Sequence, residues 1–132
     1  MISAIHHVAI ICSDYDRSKH FYTEVLGFAV IHETYRAARQ SYKLDLQVGD
    51  RDRLELFSFV GPPPRPSYPE ACGLRHLAFA VVDLDVQIAR LQRHGVKTEP
   101  VRVDEITGRR FAFLADPDGL PLELYETPLG DA

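Results

Sequence analysis

The sequence predicts an α+β fold of two tandem βαβββ modules, a half-barrel with its helices outside and a cavity inside. Three observations carry this. Sliding the chain on itself by 69 positions lays His7, Ala9, Asp14 and Asp16 onto His76, Ala78, Asp83 and Asp85. At an offset of 68, Glu55-Leu56-Phe57 falls on Glu123-Leu124-Tyr125 and Gly27-Phe28 on Gly95-Val96. A repeat of this length means two copies of one unit too small to bury a core alone. The third observation is the same order of strand, helix and turn signals in each copy.

In the first module, residues 4–60, the β-branched run from about 5 to 12 reads as a strand with His7, Ala9 and Ile11 on one face and Val8, Ile10 and Cys12 on the other. Asp14 or Asp16 caps a helix over about 16–26, in which Phe21, Tyr22, Val25 and Leu26 form the apolar face and Gly27 is the stop. Strands at about 28–36, 41–48 and 53–60 follow, with Gly49-Asp50 as the turn between the last two.

Residues 61–73 join the modules. Five of the nine prolines lie between Val60 and Pro69, so the joint is expected to be extended rather than floppy. The second module, 74–127, repeats the plan: a strand at about 75–82, a helix at about 85–94 ending at Gly95, and strands at about 97–103, 109–115 and 120–126. Asp116-Pro117-Asp118-Gly119 is a strong turn, and pairing Asp116 with Gly119 sets Ala112 opposite Glu123 and Arg110 opposite Tyr125, with Phe111 and Phe113 toward the helix.

Composition narrows the function. The chain of 132 residues is one domain's worth, with 45% hydrophobic and 26% charged residues, the balance of a soluble globular protein. A net charge of −4 without long single-sign runs argues against nucleic acid or an anionic membrane surface. No signal peptide or membrane span is expected, and Cys12 and Cys72 read as reduced thiols, so the expected location is cytoplasmic.

The recurring polar residues point to chemistry. Beside His76 on its own face stand Ala78 and Ala80, whereas Leu77, Phe79 and Val81 occupy the other; Leu54 and Leu56 flank Glu55, and Leu122 and Leu124 flank Glu123, on the helix side. His7, Glu55, His76 and Glu123 therefore face the cavity. Two carboxylates buried together repel and lose hydration, and a divalent cation held also by two neutral imidazoles removes both costs. Such a donor set suits Zn, Ni, Co, Mn or Fe(II) without choosing among them. A lone histidine in a strand is ordinarily just packed or solvated; recurrence in register is what raises these four above that. His6, His20, His32 and His94 have no such pattern and read as non-ligands. With Tyr42, Leu44, Leu46 and Val48 against the helix, Lys43 and Asp45 face the cavity, and with Arg110 they are candidates for binding a substrate carboxylate or phosphate; rim charges or a simple Lys43–Asp45 pair account for them equally well.

These residues resemble the vicinal oxygen chelate superfamily, the glyoxalase/bleomycin-resistance/dioxygenase fold. The opening His7-Val8-Ala9-Ile10, Asp14, Ser18, Phe21-Tyr22 and Leu26-Gly27-Phe28 look like its N-terminal signature, and Asp116-Pro117-Asp118-Gly119 with Leu122-Glu123-Leu124 like its C-terminal one. The order His, Glu, His, Glu is similar to that of bacterial glyoxalase I, the lactoylglutathione lyase. Arg36-Ala37-Ala38-Arg39, Pro69–Phe79 and Leu120–Glu126 look closest to the small glyoxalase-like proteins of the YaeR type. The resemblance implies a metal-dependent lyase or isomerase that moves a proton through a metal-bound enediolate on a small 2-oxoaldehyde-derived, hemithioacetal-like substrate. It makes Glu123 the base and Glu55 the second catalytic carboxylate, with glutathione or another thiol as cosubstrate and a homodimer as the assembly. Alternatives within the family are an epimerase, a thiol transferase, a dioxygenase or a non-catalytic drug- or metabolite-binding protein. No independent glutathione-binding signature is present.

Overall fold

A computed structural model describes residues 1–129. The chain divides into two compact units, Met1–Pro64 and the part from Arg65 onward, a boundary inside the proline-rich joint.

The first unit runs β1 (Val8–Cys12), α1 (Tyr15–His20), a π-helical turn (Phe21–Val25), β2 (Ala29–Arg36), a 3-10 turn (Ala37–Arg39), β3 (Ser41–Val48) and β4 (Asp52–Ser58). Asp14 starts the helix by accepting a 3.1 Å hydrogen bond from the Arg17 N–H, which satisfies one of the donors every helix start leaves open. Phe21, Tyr22 and Val25 are buried with Ile10, Cys12, Leu44, Leu46, Leu54 and Leu56, so apolar burial of about 1.5–3 kcal/mol per large side chain holds helix to sheet. Where the sequence predicted a single helix to 26, the last turn widens: the Leu26 N–H bonds the Phe21 carbonyl. Gly27, at φ 82°, ends it.

The second unit repeats the order as β5 (Leu77–Val81), α2 (Leu84–Arg93), β6 (Arg102–Val103), β7 (Arg110–Ala115) and β8 (Pro121–Glu126). Asp83 caps α2 through the Val86 N–H at 3.1 Å, and the Glu126 carboxylate accepts from the Leu84 N–H at 2.9 Å. Leu84, Leu91, Ala112, Leu114, Leu120, Leu122 and Leu124 are its buried core.

Both sheets are mixed and share one topology, β1-β4-β3-β2 and β5-β8-β7-β6. In each, the first and last strands pair in parallel and the rest are antiparallel. The α+β class and the two βαβββ modules are thus as the sequence predicts. No helix among the described residues is long and apolar enough to cross a membrane.

Two further expectations need correction. Of the strand expected over 97–103, only Arg102–Val103 forms a ladder, although the Glu99 N–H still donates to the Phe113 carbonyl at 2.8 Å; Pro100, lacking an N–H, interrupts the pairing. The β7–β8 turn is also one residue longer than expected. The Asp116 carboxylate accepts from the Asp118 and Leu120 N–H groups, and the Asp116 N–H donates to the Leu120 carbonyl. The register becomes Phe113 opposite Glu123 and Ala112 opposite Leu124, and a one-residue slip reverses every face.

Candidate functional site

The parallel pairs set the geometry of the recurring residues. Ala9 lies across from Glu55 in β1–β4, and Ala78 across from Glu123 in β5–β8. Each histidine sits two residues before its alanine and so shares the glutamate's face. His7 Nδ1 is 3.4 Å from Glu55 Oε2, and His76 Nε2 is 3.0 Å from Glu123 Oε2. The methyl groups of Ala9 and Ala78 leave the space that the longer side chains occupy.

The two pairs differ in their surroundings. In the first unit the middle strand sets Asp45 directly opposite Glu55, and Lys43 Nζ lies 3.6 Å from both the Asp45 and Glu55 carboxylates. Asp45 is buried, and its Oδ1 has no hydrogen-bond partner among the described residues. His32, set aside on the sequence, stands across from Asp45 on this face, 3.0 Å from Thr34 Oγ1. His6 Nδ1 lies 2.8 Å from His7 Nδ1.

In the second unit an aromatic replaces the aspartate: Phe113 is opposite Glu123, and its ring meets the His76 imidazole edge-on at 5.1 Å. Phe111 stacks beside Tyr125, and the Arg102 guanidinium lies over both Phe111 and Phe113, 5.3 and 5.2 Å from their centroids. The expectation that Phe111 and Phe113 pack against the helix is overturned by the hairpin register. The same slip moves Arg110 off the glutamate's face, where the sequence reading had put it as a substrate contact. Arg110 instead makes a two-pronged pair with Asp85, at 2.7 and 3.1 Å, in the first turn of α2. Its hydrogen bonds hold the Asp85 carboxyl below the ordinary range and raise the guanidinium.

Among the described residues no group of three or more histidine, cysteine or acidic side chains is gathered as a ready metal cluster. Each unit supplies a pair. Two ligands each about 2.0–2.2 Å from one ion stand about 3.0–3.4 Å apart, the separations found in both pairs. An imidazolium–carboxylate contact has a similar span. The duplication is what favours donors over a chance ion pair, since each unit independently brings one imidazole nitrogen to one buried carboxylate. The set fits a borderline divalent cation.

The sequence reading missed a cavity of about 470 Å³ in the second unit that reaches His76 and Phe113. Its wall includes Arg65, Arg75 and Arg102. Arg65 and residues after it had been assigned to the joint, but the Arg65 guanidinium donates to the Leu74 and Arg75 carbonyls and so folds that stretch into the wall. Only Arg65, the one charged residue among these prolines, hinted at this.

Comparison with known proteins bears on the family. The model of the Glyoxalase/Bleomycin resistance protein/Dioxygenase superfamily matches residues 4–124. The chain is 58% identical to the uncharacterized protein YwkD of Bacillus subtilis (strain 168), covering 96% of this chain and 98% of that one. It is 57% identical to the uncharacterized protein YaeR of Escherichia coli (strain K12), covering 95% and 97%. The glyoxalase family protein from Enterococcus faecalis superposes with a TM-score of 0.86 at 53% identity, covering 93% and 97%. Two more distant similarities carry named activities. They are the 2-epi-5-epi-valiolone epimerase of Actinomyces sp, 32% identical over 96% of this chain and 81% of that one, and the trypanothione-dependent glyoxalase I of Leishmania major, 29% identical with a TM-score of 0.71 over 95% and 87%.

Proposed function

The chain belongs to the glyoxalase/bleomycin resistance/dioxygenase superfamily, and from that premise we propose that it is a metal-dependent lyase or isomerase of the glyoxalase I type. Its substrate would be a small, hemithioacetal-like derivative of a 2-oxoaldehyde, with glutathione or another thiol as cosubstrate. The observation that carries this reading is the duplicated His–Glu pair. Supporting it are the 29% identity to a glyoxalase I and the 32% identity to an epimerase, both of which keep proton-transfer chemistry in view.

The ligands for the ion, Zn, Ni, Co, Mn or Fe(II), would be His7 and Glu55 in the first unit and His76 and Glu123 in the second. When bound, it would supply Lewis acidity toward the oxygens of the substrate. The chain's own contributions follow from the contrast between the units. Glu55, opposed by Asp45 and approached by Lys43, is fixed by charge and suits a permanent ligand. Glu123, itself buried, faces Phe113 across the ladder where Glu55 faces a carboxylate, and has His76 beside it at 3.0 Å. We assign it the base, taking a proton from one carbon and returning it to the next. Lys43 and Asp45, on Glu55's face, are proposed substrate contacts. The protein would act in the cytoplasm as a homodimer.

An epimerase that removes and restores a proton at one carbon is the second reading, favoured by the 32% relative over nearly the whole chain. The test is to measure the metal content of the protein, load it, and follow methylglyoxal plus glutathione. Turnover that falls at least about 100-fold in Glu123→Gln supports the first reading. Metal binding without turnover of this pair leaves the epimerase, and a protein that holds no divalent metal ends both.

A further inference from the structure

We infer that the cavity beside His76 is an oxyanion site, so that the molecule processed there carries a carboxylate or phosphate group. The inference deepens the proposed function and takes from it that the reacting end of the substrate lies at the His76–Glu123 pair.

Charge distribution is the first support. The chain as a whole carries −4, yet this cavity gathers Arg65, Arg75 and Arg102 against Glu70 and Glu99. An acidic protein that concentrates arginines in one hollow creates a local field attracting anions.

The state of each arginine is the second support. Arg65 is committed to backbone carbonyls and builds the wall. Arg102 lies over the Phe111 and Phe113 rings, which fix its plane while leaving the guanidinium edge free to donate. Neither Arg102 nor Arg75 forms an ion pair with a carboxylate among the described residues. A guanidinium fixed in plane and unpaired is prepared for the two-pronged geometry of a carboxylate or phosphate. By contrast Arg110, in the same unit, is already spent on Asp85.

Position is the third. The Phe113 ring contacts both the Arg102 guanidinium and the His76 imidazole, so the anion site adjoins the proton-transfer pair. About 470 Å³ accommodates a small metabolite rather than a polymer.

The test is calorimetric titration of the full-length protein, without turnover, using 2-phosphoglycolate, malonate and inorganic phosphate, with ethylene glycol as the neutral control. At least one anion should bind at millimolar or lower concentration while ethylene glycol does not. Arg102→Met and Arg75→Met should each weaken it at least tenfold, with Arg93→Met, on α2, unchanged and circular dichroism confirming the fold of all three. Preference for the phosphates or for malonate identifies which oxyanion is recognised. Failure of every anion to bind the wild type, or equal binding by the Arg75→Met/Arg102→Met double variant, overturns the inference. Because no reaction is read, a negative glyoxalase assay leaves this result standing, and a positive one does not rescue it.

Discussion

Ala78 stands directly across the parallel β5–β8 pair from Glu123. A methyl group there leaves open the space into which the carboxylate and the His76 ring extend, and Ala9 does the same for Glu55. Because Ala78 is itself exposed within the described chain, a larger residue would fit without strain and still fill the site. Ala78→Leu is expected to keep the wild-type melting temperature within a few degrees but lower divalent-metal affinity by about 10–100-fold, the range for disturbing a ligand's surroundings. Val82→Leu, at a position also exposed, serves as the control and should leave affinity unchanged. Titration with Zn or Ni in a competition assay reads the difference.

Asp45 and Glu55 are opposed carboxylates, and Lys43 is the cation between them. Like charges directly across a ladder cost up to about 1 kcal/mol. Lys43→Met should therefore destabilise the metal-free protein by roughly that amount in urea unfolding. Added divalent metal should raise the variant's stability more than it raises the wild type's, since it meets a carboxylate with no competing ammonium.

The longer β7–β8 turn rests on one buried side chain. Asp116 accepts from two backbone N–H groups at 2.9 Å, and hydrogen bonds to a charged group contribute about 1.5–3 kcal/mol. Asp116→Ala is expected to cost about 2 kcal/mol in urea unfolding with the m-value unchanged. Asp116→Asn, which retains an acceptor oxygen, should recover much of the loss.

Glu33 titrates below the ordinary carboxylate value because Lys19 and Tyr15 donate to it; the same contact, after desolvation, pushes the Tyr15 hydroxyl upward. A depressed carboxyl contributes stability that is present above its unfolded value, near 4.5, and is lost as pH falls through its lower folded value. The group is partly exposed, so the contribution is about 0.5 kcal/mol. Urea midpoints of wild type and Glu33→Gln should differ at pH 7 and converge as pH falls below 4.5 and through the lowered folded value. A gap that persists at low pH would remove this account.

Much of the fold was legible because the chain states it twice. The shared offset of His7 with His76 and of Glu55 with Glu123 requires matching elements, and period-two alternation in β1, β3 and β4 puts Ile10, Leu44 and Leu56 inside while His7, Lys43 and Glu55 share the other face. Helix starts at Asp14 and Asp83 follow from the one local rule that a short acceptor side chain satisfies an open N–H.

What the sequence by itself determined, then, were the modules, their strands and the pairing of each histidine with its glutamate's face, all consequences of local periodicity repeated in register. Only the tertiary structure decided the neighbours of Glu123. Asp116 reaches Leu120 as readily on paper as it closes on Gly119, and that choice, made by a buried hydrogen-bond pattern, sends Phe113 to the site and Arg110 to Asp85. The arginine-lined cavity was beyond reach for the same reason: Arg102 is far along the chain from Arg65 and Arg75, and only folding of the proline-rich joint onto its own unit brings the three to one wall.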